Sequence, residues 1–388
     1  MSFKFPLATS SWGDEEIDAM QRVIASGMFS MGEKVREFES LFASYMKSNY
    51  CVMVNSGSSA NLLAIAALFY TNNSKYRLKR GDEVIVPAVS WSTTYYPLYQ
   101  YGLKIKFVDV DLNTLNINIE QLESAITDKT RAIFLVNLLG NPNDFRKIEE
   151  IIEGKDIFLL EDNCESMGAT YNNKQTGTFG LMGTFSSFFS HHISTMEGGM
   201  IVTDDEEMYH ILLSLRAHGW TRNLPKKNHV SGCKSEDPFE ESFNFVLPGY
   251  NVRPLELEGA LGCEQLKRLP TIVEERQKNG RLLQDAMTNH PDILIQQEIG
   301  NSSWFGFSLL IKPGSSMTRT MLLEKLKELG FECRPIVAGN FAKNPVVKYF
   351  NHVIHGKLSS AEYIDKNGLF VGNHHYPIPD AMKALRSL

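Results

Sequence analysis

An α/β fold, with a large domain built on a mostly parallel mixed sheet and a smaller α+β C-terminal domain, follows from three features of the 388-residue sequence. Short apolar runs rich in β-branched and aromatic residues recur between residues 50 and 205, helical stretches separate them, and the rhythm changes after Pro254. The runs are YCVMVNS at 50–56, DEVIVPA at 82–88, KIKFVDVD at 104–111, RAIFLVNLLG from 131, DIFLLEDN from 156, TFSSFFS from 184 and MIVTDD from 200. Near-continuous apolarity over so few residues marks strands buried on both faces, the condition of parallel strands under helical crossovers. Between the first two, SSANLLAIAALFY opens with serines suited to capping and is apolar almost all round, which predicts a buried helix beginning at Ser58 and Ser59.

Residues 217–250 interrupt the series with Gly, Pro and opposed charge clusters, too long for an ordinary connector and typical of a functional loop. After Pro254 come a long helical stretch, LELEGALGCEQLKRL, a strand-like WFGFSLLI at 304–311 and a further helix, MLLEKLKEL. The expected division is therefore a large domain over residues 1–253 and a small one over 254–388.

Composition narrows the function class. Hydrophobic residues at 43% and charged residues at 22% suit a globular protein, and a net charge of −6 gives no basic surface for nucleic acid. Cys51, Cys164, Cys233, Cys263 and Cys333 are odd in number and never spaced as CxxC, which predicts reduced thiols rather than a disulfide frame or a zinc site. With no apolar leader in MSFKFPLATSSWGDEE and no apolar run of membrane-spanning length, the expectation is a cytoplasmic protein with no membrane segment and no metal.

Three constellations carry possible chemistry. In SGSSANL at 56–62, Gly57 lets the backbone approach closely and Ser58 opens a helix whose free N–H groups and dipole favour an anion such as phosphate, although a serine here is most often only a cap. In EDNCES at 161–166, Asp162 ends an apolar strand where a carboxylate can hold a protonated ring nitrogen; its acidic neighbours equally suit capping or solvent. In GTFSSFFSHHISTMEGGMIV at 183–202, a serine-rich strand runs into His191 and His192, a pair without metal-ligand spacing.

Taken together and in this order, the three segments resemble the fold type I pyridoxal phosphate enzymes, in particular the sugar aminotransferase and dehydratase family that acts on nucleotide-linked keto-sugars. The family's lysine stretch reads roughly S-F-x-x-x-K-N followed by E-G-G; here Ser186 falls on the serine, Glu197-Gly198-Gly199 on E-G-G, and His191 on the lysine. VPAVSWSTTYYP at 86–97 is similar to the strand end that stacks an aromatic ring on the cofactor, and LPGYNVRPLE at 247–256 to the G-Y-N-x-R segment that reaches a neighbouring subunit's phosphate.

The resemblance, running from about residue 5 to the end, implies an aspartate-aminotransferase-like fold. It also implies a cofactor shell of Gly57, Ser58, Trp91, Asp162, Glu165, Ser186 and Asn251, with Asn251 acting across a homodimer with shared active sites. Glu165 stands where the aminotransferases commonly have glutamine. Because an imidazole cannot replace the lysine's covalent bond, it implies noncovalent pyridoxal 5'-phosphate or pyridoxamine 5'-phosphate and, with His191 as acid and base, loss of a sugar 3-hydroxyl rather than amination. The implied partners are GDP-4-keto-6-deoxy-D-mannose, with Arg222 near its diphosphate, and L-glutamate; the implied setting is colitose synthesis for lipopolysaccharide O-antigen. Competing readings are an aminotransferase using His192 or another lysine such as Lys174, and a noncatalytic binding protein that has lost its lysine.

Overall fold

The computed structural model describes residues 3–388. Two helices, α1 (Asp14–Ser26) and α2 (Glu33–Met46), precede an alternating series: β1 (Tyr50–Val54), α3 (Gly57–Ala67), β2 (Glu83–Pro87), α4 (Ser92–Gln100), β3 (Lys104–Val108), α5 (Ile119–Ala125), β4 (Thr130–Val136), α6 (Phe145–Ile152) and β5 (Phe158–Asp162). A short hairpin, β6 (Thr170–Tyr171) with β7 (Lys174–Gln175), leads to β8 (Met182–Ser186), β9 (Gly199–Thr203) and α7 (Glu206–Arg216). The long loop then carries a second hairpin, β10 (Lys227–Asn228) with β11 (Gly232–Cys233), and one helical turn, α8 (Pro238–Glu241).

The main sheet has eight strands in the order β1-β9-β8-β5-β4-β2-β3-β15, where β15 is His352–Ile354. Every neighbouring pair is parallel except those made by β9, which is antiparallel to β1 and β8. Period-two alternation sends successive side chains to opposite faces. Val52, Val54, Phe158, Leu160 and Met182 join the core under α3, α4 and α7. Cys51, Met53 and Phe185 pack instead beneath α2 and the long helix α9 (Glu256–Met287), and Leu159 beneath α5 and α6.

The helix α9 is longer than the apolar pattern suggests, continuing through Pro270. Its first half lies on the large sheet through Cys263, Leu266 and Leu269, whereas Leu283 and Met287 enter a separate core with Trp304, Phe307 and Phe331. That second core sits on an antiparallel sheet in the order β12-β13-β16-β14, from Ile293–Ile295, Gly306–Ile311, Gly368–Gly372 and Cys333–Arg334. Helices α10 (Arg319–Glu328), α11 (Ser359–Asn367) and α12 (Pro379–Leu385) complete the C-terminal part, while β15 returns to the edge of the large sheet, His352 opposite Ile105. No helix of the described residues is long and apolar enough to cross a membrane.

Two buried carboxylates tie helices to this frame. Glu256 accepts from the N–H groups of Gly32 and Lys34, both at 2.6 Å, satisfying the start of α2 and opposing its dipole. Glu39 of α2 pairs with Arg216 of α7 and accepts from Met53 N–H at 2.8 Å, while Arg216 donates to Met53 O at 2.6 Å. Both charged side chains are buried, so removing one strands the other. Urea unfolding of Arg216→Met is expected to show a loss of about 3–5 kcal/mol, with a smaller loss when Glu39→Leu is added; a double variant worse than the single would contradict this account of the pair.

Candidate active site

Strands β1, β2, β5 and β8 run in one direction, so their carboxyl ends open on one edge of the sheet, where ligand crevices of such sheets lie. Gly57 follows β1, Trp91 follows β2, Asp162 closes β5 and Ser186 closes β8. Residues Asp162, Thr184 and Ser186 share the face covered by α3 and α4, because they alternate with residues of the opposite core.

The helix start differs by one residue from the sequence expectation: α3 begins at Gly57, with Ser56 as its cap accepting from Ser59 N–H at 3.1 Å. The first-turn N–H groups of Gly57 and Ser58 consequently have no intrahelical partner. A Cβ on Gly57 would lie 2.6 Å from Ser186 Cβ and 3.0 Å from Cys164 Sγ, so only glycine lets the helix start meet the end of β8. Gly199 has a matching reason: it is paired with both Val54 and Ser186, and a Cβ there would lie 2.2 Å from Ser56 O. The result is a cradle of helix N-terminus and serine hydroxyls, the donor set that suits a phosphate.

Asp162 is buried and held by three donors: Asn61 Nδ2 at 2.8 Å, Thr94 Oγ1 at 2.7 Å and Cys164 N–H at 3.2 Å. Asn61 is in turn fixed by Thr184 Oγ1 at 2.6 Å, and Ser58 Oγ donates to Thr93 Oγ1 at 3.1 Å. These bonds lock the starts of α3 and α4 to the end of β5 and place Trp91, 58% exposed at the cap position of α4, on the rim. Sequence reasoning missed Asn61, Thr94 and Thr184. Asn61 carried a signal, a lone amide in an otherwise apolar helix, since such a buried group must find partners.

The neighbouring acids divide. Glu161 faces the other way and accepts from Gly177, Phe179 and Gly180 N–H at 2.6, 2.6 and 2.9 Å, clamping the turn before β8. Glu165 is half-buried and accepts from Leu139 N–H at 3.1 Å; burial, reinforced by the Asp162 charge, pushes its carboxyl up to about 7.

His191 lies beside Ser186, with Nδ1 3.3 Å from Ser186 O. A carbonyl only accepts, so Nδ1 carries the hydrogen and Nε2 is left bare. Phe305 and Phe188 stand edge-on to the imidazole, with ring centroids at 5.2 and 6.1 Å. Burial, assisted by the Arg276 charge and opposed by the Ser186 carbonyl, lowers its pKa to about 4, so the ring is neutral near pH 7. His192 is turned into the interior with Nε2 3.1 Å from Ser303 O.

The structure thus brings together Gly57, Ser58, Trp91, Asp162, Glu165, Ser186 and His191. Two further expected residues make other contacts. Asn251 is exposed and accepts from Arg253 Nε at 2.9 Å; Arg222 is exposed, 4.2 Å over the Trp220 ring, and donates to Ser242 O at 2.9 Å.

An anion cradle, a buried carboxylate and an open aromatic ring at the ends of parallel strands define a fold type I pyridoxal phosphate architecture. The chain belongs to the DegT/DnrJ/EryC1/StrS aminotransferase family, whose model matches residues 10–379. It is 64% identical over 382 residues to GDP-4-keto-6-deoxy-D-mannose 3-dehydratase of Yersinia pseudotuberculosis, covering 98% of this chain and 97% of that one. The Escherichia coli GDP-4-keto-6-deoxy-D-mannose-3-dehydratase structure with bound hydrated PLP superposes with a TM-score of 0.98 at 63% identity, covering 100% of this chain and 99% of that one. A structure of GDP-4-keto-6-deoxymannose-3-dehydratase with a trapped PLP-glutamate geminal diamine also gives 0.98 and 63%, covering 99% of each chain. A more distant relative, 31% identical over 93% of this chain and 85% of its own, is a lipopolysaccharide biosynthesis protein of Salmonella typhimurium.

The raised carboxyl of Glu165 has a thermodynamic signature. Its folded pKa of about 7 exceeds the ~4.3 of an unfolded glutamate, so the native state binds the extra proton between these values. The stabilisation is fully present below ~4.3 and lost as pH rises through about 7. Glu165→Gln, which cannot ionise, should gain on the cofactor-free parent in urea unfolding by a margin that is small at pH 4 and large at pH 8. A constant difference at both values would contradict the assignment.

Proposed function

We propose that the chain is a pyridoxal-phosphate-dependent nucleotide-sugar 3-dehydratase. It removes the 3-hydroxyl of GDP-4-keto-6-deoxy-D-mannose, using L-glutamate to charge the cofactor with an amino group, and releases GDP-4-keto-3,6-dideoxymannose, 2-oxoglutarate and ammonia. The observation that carries this reading is the imidazole of His191 on the Ser186 carbonyl, at the position that the motif resemblance matches to the family's lysine. Nearly full-length similarity to enzymes of that name supports the substrate.

When bound, the aminated form of pyridoxal phosphate would supply an amine for the sugar's 4-keto carbon and a ring that takes up and returns the electron pair freed by proton removal, which lets the neighbouring hydroxyl leave. The residues present fit it. Gly57, Ser58 and Ser186 would hold the phosphate in the cradle that a Cβ at 57 would fill, and Trp91 would offer its open face to the ring. Asp162, immobilised by its three donors, would keep a proton on the pyridine nitrogen by a charge-assisted hydrogen bond. Glu165 would lie on the same side of the crevice as a second, partly protonated carboxyl.

His191 does the proton work in this reading. Its neutral state and bare Nε2 make it a base near pH 7; once protonated, the same nitrogen is a strong acid, suited to assist departure of the 3-hydroxyl. An imidazole forms no lasting covalent bond to an aldehyde, so the cofactor is held noncovalently. The hydrated PLP bound in the Escherichia coli relative supports this.

The reading extends to a homodimer in which Asn251 reaches the partner's phosphate site and Arg222 approaches the substrate diphosphate. Exposed Phe239, Phe243 and Phe245 at 88, 68 and 57% on the loop before Asn251 support an interface there. We further place the reaction in the cytoplasm, in the colitose branch of lipopolysaccharide O-antigen synthesis; the Salmonella relative supports the lipopolysaccharide context.

Mass spectrometry after incubation with pyridoxal phosphate, glutamate and a panel of nucleotide 4-keto-6-deoxysugars is expected to show a 3-deoxy product and free ammonia, selectively with the GDP-mannose derivative. An aminated sugar would overturn the reading. His191→Asn should retain the fold but lose about 10²–10⁴-fold in turnover. Mixing inactive His191→Asn and Asn251→Ala subunits should restore part of the activity, since one site of a mixed dimer is intact; no recovery after verified exchange would refute the shared site.

A further inference from the structure

The second histidine of the pair has no place in the reaction, yet it is bonded to a backbone segment whose carbonyls all receive side chains. Residues 302–305 form a strap between the large sheet and the small domain, and each of its four carbonyls receives a side chain. Gln277 Nε2 donates to Ser302 O at 3.1 Å, His192 Nε2 to Ser303 O at 3.1 Å, Asn373 Nδ2 to Trp304 O at 2.8 Å and Arg276 Nη1 to Phe305 O at 2.8 Å.

The strap's own N–H groups are equally engaged. Those of Ser303 and Phe305 donate to Gly140 O and Leu139 O at 2.9 and 3.1 Å, and that of Trp304 to Ser302 Oγ at 3.0 Å. Trp304 is held at a φ of 46°, a left-handed conformation that a bulky residue adopts only when its surroundings enforce it. So full a set of constraints fixes the last residue, Phe305, whose ring stands edge-on to His191 at 5.2 Å and tilted against His192 at 5.7 Å.

His192 itself has no atom free for catalysis. Ser303 O can only accept, so Nε2 carries the hydrogen and is used; Nδ1 is buried and without a partner among the described residues. Arg276, the charged group that acts on both histidines, is likewise buried, its Nη1 donating to the carbonyls of Phe305 and Asn373.

We propose that His192 is a positioning residue: it anchors the strap at Ser303 and thereby fixes the Phe305 ring that holds His191 in place. The inference rests on the reading of His191 as the proton-transferring group. The lowered pKa of His191 agrees with it, since the aromatic cover is part of what keeps water from the imidazole.

The test follows the His191 imidazole by NMR in the holoenzyme labelled at histidine Cε1, with His191→Asn assigning the signal, alongside kcat and KM. Phe305→Ala, which alters a half-buried ring, should raise the His191 titration midpoint from about 4 toward ~6.5. It should lower kcat about 10- to 100-fold with little change in KM. His192→Ala should do the same, and His192→Gln, whose amide nitrogen can reach Ser303 O, should restore near-native behaviour. An unmoved His191 midpoint with native kcat in Phe305→Ala overturns the proposal, even if His192→Ala fails to fold. So does His192→Gln as impaired as His192→Ala. Native turnover in His191→Asn would instead remove the base assignment beneath it, a result separable from the NMR comparison.

Discussion

The Asp162 carboxylate is where sheet, helices and chemistry are joined. It ends a buried strand and draws its three donors from α3, α4 and the turn that follows β5. Satisfying a buried carboxylate this way is obligatory, because an unpaired charge in the interior is strongly destabilising. The same bonds set the spacing between the helix start at Gly57 and the rim at Trp91. Glycines 57 and 199 then let β8 and β9 close against that helix start without a side chain between them. Rigid placement of an anion cradle, a carboxylate and an aromatic ring is what a planar, phosphorylated cofactor requires.

In the proposed reading, the side chain at position 191 sets the reaction. A lysine at position 191 would bring an amine that forms a covalent bond to an aldehyde; the imidazole brings a proton carrier instead. Its environment favours the neutral form through burial, the nearby Arg276 charge and the edges of Phe188 and Phe305. The Ser186 carbonyl selects the tautomer with Nε2 open. Of the two carboxyls nearby, Asp162 is held by its donors, while burial raises Glu165 to about 7.

Much of this was legible in the sequence because it depends on local pattern. Seven apolar runs became seven of the large sheet's eight strands, and the strand-end positions of Asp162 and Ser186 follow from where those runs stop. What escaped depends on long-range contacts. The return of His352–Ile354 to the sheet edge rests on pairing with Ile105–Phe107, some 245 residues away in sequence, and a three-residue strand leaves no periodicity to read. The one-residue shift of the α3 start, from Ser58 to Gly57 with Ser56 as the cap, was hidden in a run where three serines all suit the cap position. The strap at 302–305 is defined by bonds to its backbone carbonyls, which are chemically the same for every residue type. Asn251 bonds to Arg253, and Arg222 to Ser242 and the Trp220 ring, contacts that no local pattern in the sequence announces.

The central claim is that no lysine holds the cofactor and that position 191 alone accounts for this. Intact-protein mass measured after pyridoxal phosphate loading and borohydride reduction tests it directly, with His191→Lys measured in parallel. The native chain should keep its unmodified mass while the lysine variant gains one reduced cofactor at residue 191; a native chain carrying the cofactor on any lysine would contradict the account.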